Sequence, residues 1–176
     1  MIAIMSDWRS LFEDGLMRTL DGGDVLFHRE DPVIAAYLIV SGCVAMERGL
    51  ATGDALVLCK LRSGQLVAGA SLFADRYHCD AVMREKTQVL VLEKPVLLRR
   101  LGSAPTATLS LLADASREVQ QLRNRVEILR FKRVADRLSA WLDINGAPQK
   151  GGWVGVAEEI GVSPEALYRE LARRKT

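Results

Sequence analysis

Near residue 100 the hydrophobic period of this chain changes, and that change limits its possible folds more than any short motif does. Residues 22 to 93 alternate short β-rich runs, "DVLFHR", "AAYLIVSG", "CVAMERG", "ALVLCKLRSG", "QLVAG", "AVM" and "TQVLVLE", with turn signals such as "DGGD", "SG", "TGD" and "SGQ". Short strands broken by Gly and Asp turns predict a compact antiparallel roll or barrel. From Thr106 the apolar residues fall instead at Leu112, Ala115, Val119, Leu122, Val126 and Leu129. These steps of three and four form a heptad seam. Val and Leu at a with mostly Leu at d favour two parallel helices, so the stripe predicts a homodimer. A lone amphipathic helix packed on its own domain is the other reading.

A further helix, "FKRVADRLSAWLDI", is expected to stop at Asn145-Gly146, followed by the linker "NGAPQKGG". The last segment, "VAEEIGVSPEALYRELARRKT", has Ala157 where two helices cross, Gly161 in the turn and Ser163 as an N-cap. Pro164 takes the first helical position, Glu165 its first turn, and Leu167 and Leu171 one face. Together these make a helix-turn-helix signature. A short helical hairpin without DNA contact has the same ingredients. The expected fold is α+β with three parts: an antiparallel β-roll over 1–103, a dimerisation helix over 104–130, and a helix-turn-helix domain over 131–176.

Charge agrees with that order. Residues 1 to 115 carry 12 Lys/Arg against 14 Asp/Glu, and residues 116 to 176 carry 12 against 8. A basic tail on a near-neutral body suits a polyanion partner, although a solvated helix face gives the same count. Cys43, Cys59 and Cys79 stand apart with no CxxC spacing. That argues against a disulfide framework and a cysteine-rich metal cluster, and it fits a reducing cytoplasm. The start "MIAIMSDWRSLFEDG" has no basic n-region or long apolar run, so neither a signal peptide nor a membrane span is expected. With two histidines and no Ser-His-Asp order, zinc spacing or phosphate-binding glycine loop, an enzyme is not expected either.

In order and spacing, "GGDVLF", "AAYLIVSGCV", "SGQLVAG", "LFADRYHCDAV", "REKTQVLVLE" and "AEEIGVSPEALYREL" resemble the Crp/Fnr family of bacterial transcription regulators. The resemblance covers nearly the whole chain. It implies a cyclic-nucleotide-binding-like roll, a dimerisation helix and a winged helix-turn-helix. It also implies that "GASLFADRYHCDA" is the phosphate cassette, where cyclic-AMP-binding members carry a glutamate for the ribose and an Arg-Ser pair for the phosphate. Here Ala70 stands for the glutamate, Cys79 for the arginine and Asp80 for the serine. The base-reading pair of the long helix falls at Glu118 and Val119.

The effector pocket implied by the resemblance is thus Gly69, Ala70, Ser71, Cys79, Asp80, Ala81, Glu118 and Val119. It has lost the phosphate's cation and gained a carboxylate, which opposes anion binding at low dielectric. Arg76 lies three residues upstream and could swing in. Cyclic AMP is therefore not an expected ligand and no cofactor is expected. A haem or metal reading rests on His78 or Cys79, with His28 more distant, against a plain packing role. An unknown small effector stays open.

For DNA, the resemblance places Pro164, Glu165 and Arg169 at the base-reading positions, with proline in place of the first arginine. Glutamate accepts from a cytosine amino group and arginine forks onto guanine. Ser163 caps that helix. Tyr168, Arg173, Arg174 and Lys175 are placed to reach phosphates, and a basic helix end is the other reading. The chain stops at Thr176, just past this helix, so the family's wing is missing and weaker, salt-sensitive binding is expected. The expected function is a cytoplasmic homodimeric regulator of a palindromic double-stranded DNA site. The runner-up is a sensing roll that has lost DNA binding and acts through protein partners.

Overall fold

The computed structural model describes residues 7–51 and 53–174. Lys175 lies outside them. The chain forms two compact units that divide between Leu112 and Ala113.

The first unit is built from eight strands: β1 (Leu16–Leu20), β2 (Val25–Phe27), β3 (Ala35–Ser41), β4 (Cys43–Gly49), β5 (Ala55–Arg62), β6 (Leu66–Val67), β7 (Asp80–Met83) and β8 (Thr87–Glu93). They make two antiparallel four-stranded sheets, ordered β1-β8-β3-β6 and β2-β7-β4-β5. All seven β-rich runs of the sequence supply strands. β1 and the helix α1 (Lys94–Ser103) lie outside those runs.

Between the sheets lies a core that includes Phe27, Ile39, Val44, Met46, Met83 and Val89. The first sheet is also covered on its other face. There Trp8 and Phe12, from a 3-10 turn, pack with Leu38, Leu92 and α1 residues Leu97 and Leu101. Burial on both faces explains why "AAYLIV" reads as an unbroken apolar run rather than an alternation. The second sheet ends in an open edge: in β5 only Leu61 is buried.

A long helix, α2 (Pro105–Arg130), crosses the division between units. The second unit continues with α3 (Val134–Asn145), α4 (Trp153–Glu159) and α5 (Pro164–Arg173). Its core is Ile128, Leu138, Trp141, Val156, Ile160 and Leu167. α3 ends at Asn145, and Gly146 follows at φ +74°, as the Asn-Gly stop requires. Among the described residues no helix is long and apolar enough to cross a membrane.

Candidate functional site

The cassette begins at Ala68, a non-glycine residue at φ +53°, and turns through a short 3-10 segment, Gly69–Ser71. Gly69 and Ala70 are exposed, and Ser71 is buried. The Ser71 hydroxyl and His78 Nδ1 share a hydrogen bond of 2.9 Å, which ties the start of the loop to its end. From Tyr77 the side chains alternate. Tyr77, Cys79 and Ala81 enter the roll core, while His78 stays exposed.

Tyr77 is the residue that sequence reasoning missed. Its ring stacks on Phe27 with centroids 3.6 Å apart, and its hydroxyl donates to the Ala35 carbonyl at 3.0 Å. Burial raises its phenol pKa, so the ring stays neutral. The space left beside it, against Val33, Leu66, Gly69 and Leu72, is about 10 Å³. That volume holds about one water molecule, whereas small-ligand sites run to roughly 300–1,000 Å³. The Phe27–Tyr77 stack thus occupies the part of the roll interior next to the cassette.

The cations near the cassette are engaged with its backbone or its neighbours. Arg76 does not swing in: it donates to the Glu30 carbonyl at 2.6 Å. Arg48 donates to the His78 carbonyl at 3.1 Å. The Asp80 carboxylate accepts from the Arg29 amide at 2.8 Å and lies 3.3 Å from His28 Nδ1, so it closes the turn after β2. Cys79 is buried with a thiol pKa raised chiefly by desolvation, opposite to what a thiolate ligand needs. Among the described residues no group of three or more His, Cys, Asp or Glu is placed to hold a metal ion. Glu118 and Val119 stand exposed on α2, within the second unit.

Along α2, Leu112, Val119, Leu122, Val126 and Leu129 are between 37% and 60% exposed, and Ala115 is exposed with them. Together they form an apolar stripe exposed along one helix face. Off the stripe, Arg117 pairs with Asp114 and Arg130 with Glu127.

The α4–α5 pair is locked at its turn. Gly161 sits at φ +66°, and a Cβ there would meet Leu129 Cδ2 at 2.9 Å. Arg137 clamps the same turn, donating to the carbonyls of Phe131 at 2.8 Å and Ile160 at 3.1 Å. Trp141 Nε1 donates to Glu159 at 2.6 Å. Ser163 caps α5 by accepting from the Ala166 amide at 3.2 Å. A hydrogen bond from the Glu165 amide and then one from Ser163 lower the pKa of the Glu165 carboxyl, so it is ionised at neutral pH.

Glu165, Tyr168 and Arg169 are exposed on α5. Arg173 and Arg174 both pair with Glu170. Arg174 also donates to the Ala135 carbonyl at 2.6 Å and to Ser139 Oγ at 2.9 Å, so it fastens α5 to α3.

Residues 17–103 match the family model described as the cyclic nucleotide-binding domain. Comparison with curated proteins finds no match. Among solved structures, the c-di-GMP responsive global regulator CLP of Xanthomonas campestris aligns at a TM-score of 0.65 and 18% identity, covering 95% of this chain and 89% of that one. FixK2 of Bradyrhizobium japonicum aligns at 0.63 and 16%, covering 90% and 83%. The catabolite activator protein of Thermus thermophilus aligns at 0.56 and 23%, covering 94% and 80%. At these identities the likeness is one of fold.

Proposed function

Residues 17–103 belong to the cyclic nucleotide-binding domain family and the chain is built like the Crp/Fnr regulators, and from that premise we propose that it is a homodimeric, DNA-binding transcription regulator whose roll does not take cyclic AMP. The observation that carries the reading is the α4–α5 pair, closed by Gly161, capped by Ser163 and presenting Glu165, Tyr168 and Arg169 to solvent. α5 would lie in the major groove, with Glu165 and Arg169 at base edges and Tyr168 at a phosphate. Two copies joined along α2 would hold two such helices one DNA turn apart, over a palindromic site.

The test is a mobility shift against pooled genomic fragments at low salt. Retarded DNA is expected, released steeply as salt rises. No retardation would favour a roll that acts through protein partners, a reading helped by Arg173 and Arg174 being engaged within their own unit.

The cassette makes a second prediction. Cys79→Arg with Asp80→Ser, which restores the family's Arg-Ser pair, is expected to give no heat with cyclic AMP in calorimetry. Cys79 is buried in the roll core, so an arginine there is expected to cost about 2 kcal/mol or more in a denaturant melt. Micromolar affinity for cyclic AMP in either the parent or the variant would overturn the proposal that the roll does not take it.

A further inference from the structure

We propose that Arg137 is the positioning residue of the DNA reader: it fastens the α4–α5 turn to the end of α2 and thereby sets the spacing of half-sites that the dimer accepts. The proposal rests on the homodimeric DNA-binding reading above. The residues it uses all lie in the second unit, which begins at Ala113 and so holds the whole α2 stripe except Leu112, together with α4 and α5. Helix α2 ends at Arg130 and α3 starts at Val134, so three residues join them. Arg137 stands one turn into α3, close to that junction.

The C-terminal end of a helix leaves carbonyls without partners inside the helix and carries partial negative charge. Two such ends meet at one guanidinium here. From the end of α2, the Phe131 carbonyl accepts from Arg137 Nε at 2.8 Å and the Leu129 carbonyl accepts from Nη2 at 3.3 Å. From the end of α4, the carbonyls of Ile160 and Gly161 accept from Nη1 at 3.1 Å and 3.4 Å. Arginine suits this place because its planar fork reaches several fixed acceptors at once. A lysine offers a single point charge on a flexible stem.

Further contacts hold the same joint. Arg125 on α2 donates to the Glu158 carbonyl on α4 at 3.2 Å. Ile128, near the end of α2, is buried with Ile160 in the core of the unit. α5 begins at Pro164, three residues after Gly161, behind its Ser163 cap. The reading helix therefore takes its direction from α2, the helix that would carry the dimer seam. In the dimer, the separation and relative rotation of the two reading helices become properties of the seam, and a mismatch in the DNA is not absorbed at the joint. One base pair added between half-sites moves them apart by about 3.4 Å and turns one against the other by about 34°.

The test uses the full chain and a fragment retained from the genomic pool, with its half-sites located by footprinting. Mobility shift compares that fragment with versions carrying one base pair more or one fewer between the half-sites. The parent is expected to bind the altered spacings at least tenfold more weakly. Arg137→Lys keeps the charge and loses the fork, and its preference is expected to fall to threefold or less. A variant that is merely less stable would weaken all three DNAs alike and keep the parent's ratio. Arg125→Gln removes one bond and leaves Arg137 in place; it is expected to lower the ratio at least twofold. Without DNA, Arg137→Lys is expected to speed amide hydrogen exchange at least fivefold in both 129–133 and 160–162, with the segment around Trp141 unchanged. A parent indifferent to spacing, an Arg137→Lys protein with the parent's ratio, or faster exchange in one segment or neither would each overturn the proposal. No retarded fragment at all would overturn the DNA-binding reading and the spacing role with it, whereas retardation without spacing preference would overturn the spacing role alone.

Discussion

If the proposed dimer forms along α2, Leu122→Glu with Val126→Glu is expected to give a monomer and to lower affinity for operator-length DNA by at least about 100-fold. Both side chains stand more than half exposed on the α2 stripe and lie outside the second unit's core. The protomer itself should therefore fold as before. In a parallel pair the a and d positions meet their own copies, so each substitution sets two carboxylates against one another in an apolar seam. Like-charge contact of that kind costs several kcal/mol, and every 1.4 kcal/mol is about tenfold in affinity. DNA binding falls with it, because a second recognition helix then arrives from solution instead of from the same particle. Gln121→Glu, off the stripe on the same helix, is the control and should leave both properties intact. Sedimentation measures the first effect and mobility shift the second. A doubly substituted protein that still sediments as a dimer would remove the seam from its assigned role, as would a parent protein that is monomeric with and without duplex.

The seam was legible because period survives without tertiary knowledge: a 3-4 spacing needs only the chain. The same holds for the α5 cap, where Ser163, Pro164 and Glu165 act within one turn. What the sequence concealed depends on contacts between distant residues. Tyr77 is an ordinary loop residue until Phe27, fifty positions earlier, is placed 3.6 Å from it. Arg174 reads as a spare cation until α3 brings the Ala135 carbonyl and Ser139 within reach. β1 has exposed Leu16 and Met17 and no clean alternation, and it becomes a strand by pairing with β8 at the far end of the roll. Ala70, Cys79 and Asp80 stand out in the cassette by residue type alone, where a cyclic-AMP site carries other side chains. The Phe27–Tyr77 stack adds a physical obstacle that no inspection of Cys79 or Asp80 alone would reveal.

Gly42→Ala is expected to destabilise the first unit by roughly 2–5 kcal/mol, enough to lower its melting temperature by more than about 10 °C. Gly42 turns β3 into β4 at φ +94°, where an L side chain is strained. Its surroundings add a second cost. A Cβ there would lie 2.7 Å from both the Lys86 carbonyl oxygen and Thr87 Cα. Those are backbone atoms, and no rotamer change relieves them. Thr87 is fully buried, and its hydroxyl oxygen accepts from the Cys43 amide at 3.2 Å, so displacing it disturbs the start of β4 as well. Gly23 separates the two terms. It has φ +96° with no atom within 4 Å of an added Cβ, so Gly23→Ala carries the conformational term of about 1–2 kcal/mol alone. Denaturant melts followed by the near-ultraviolet signal of Tyr37 and Tyr77, both inside the roll, report on this unit. Equal losses for the two alanines would mean that the close approach of Gly42 to β8 contributes nothing, and the tight β3–β4 turn would then rest on backbone angle alone.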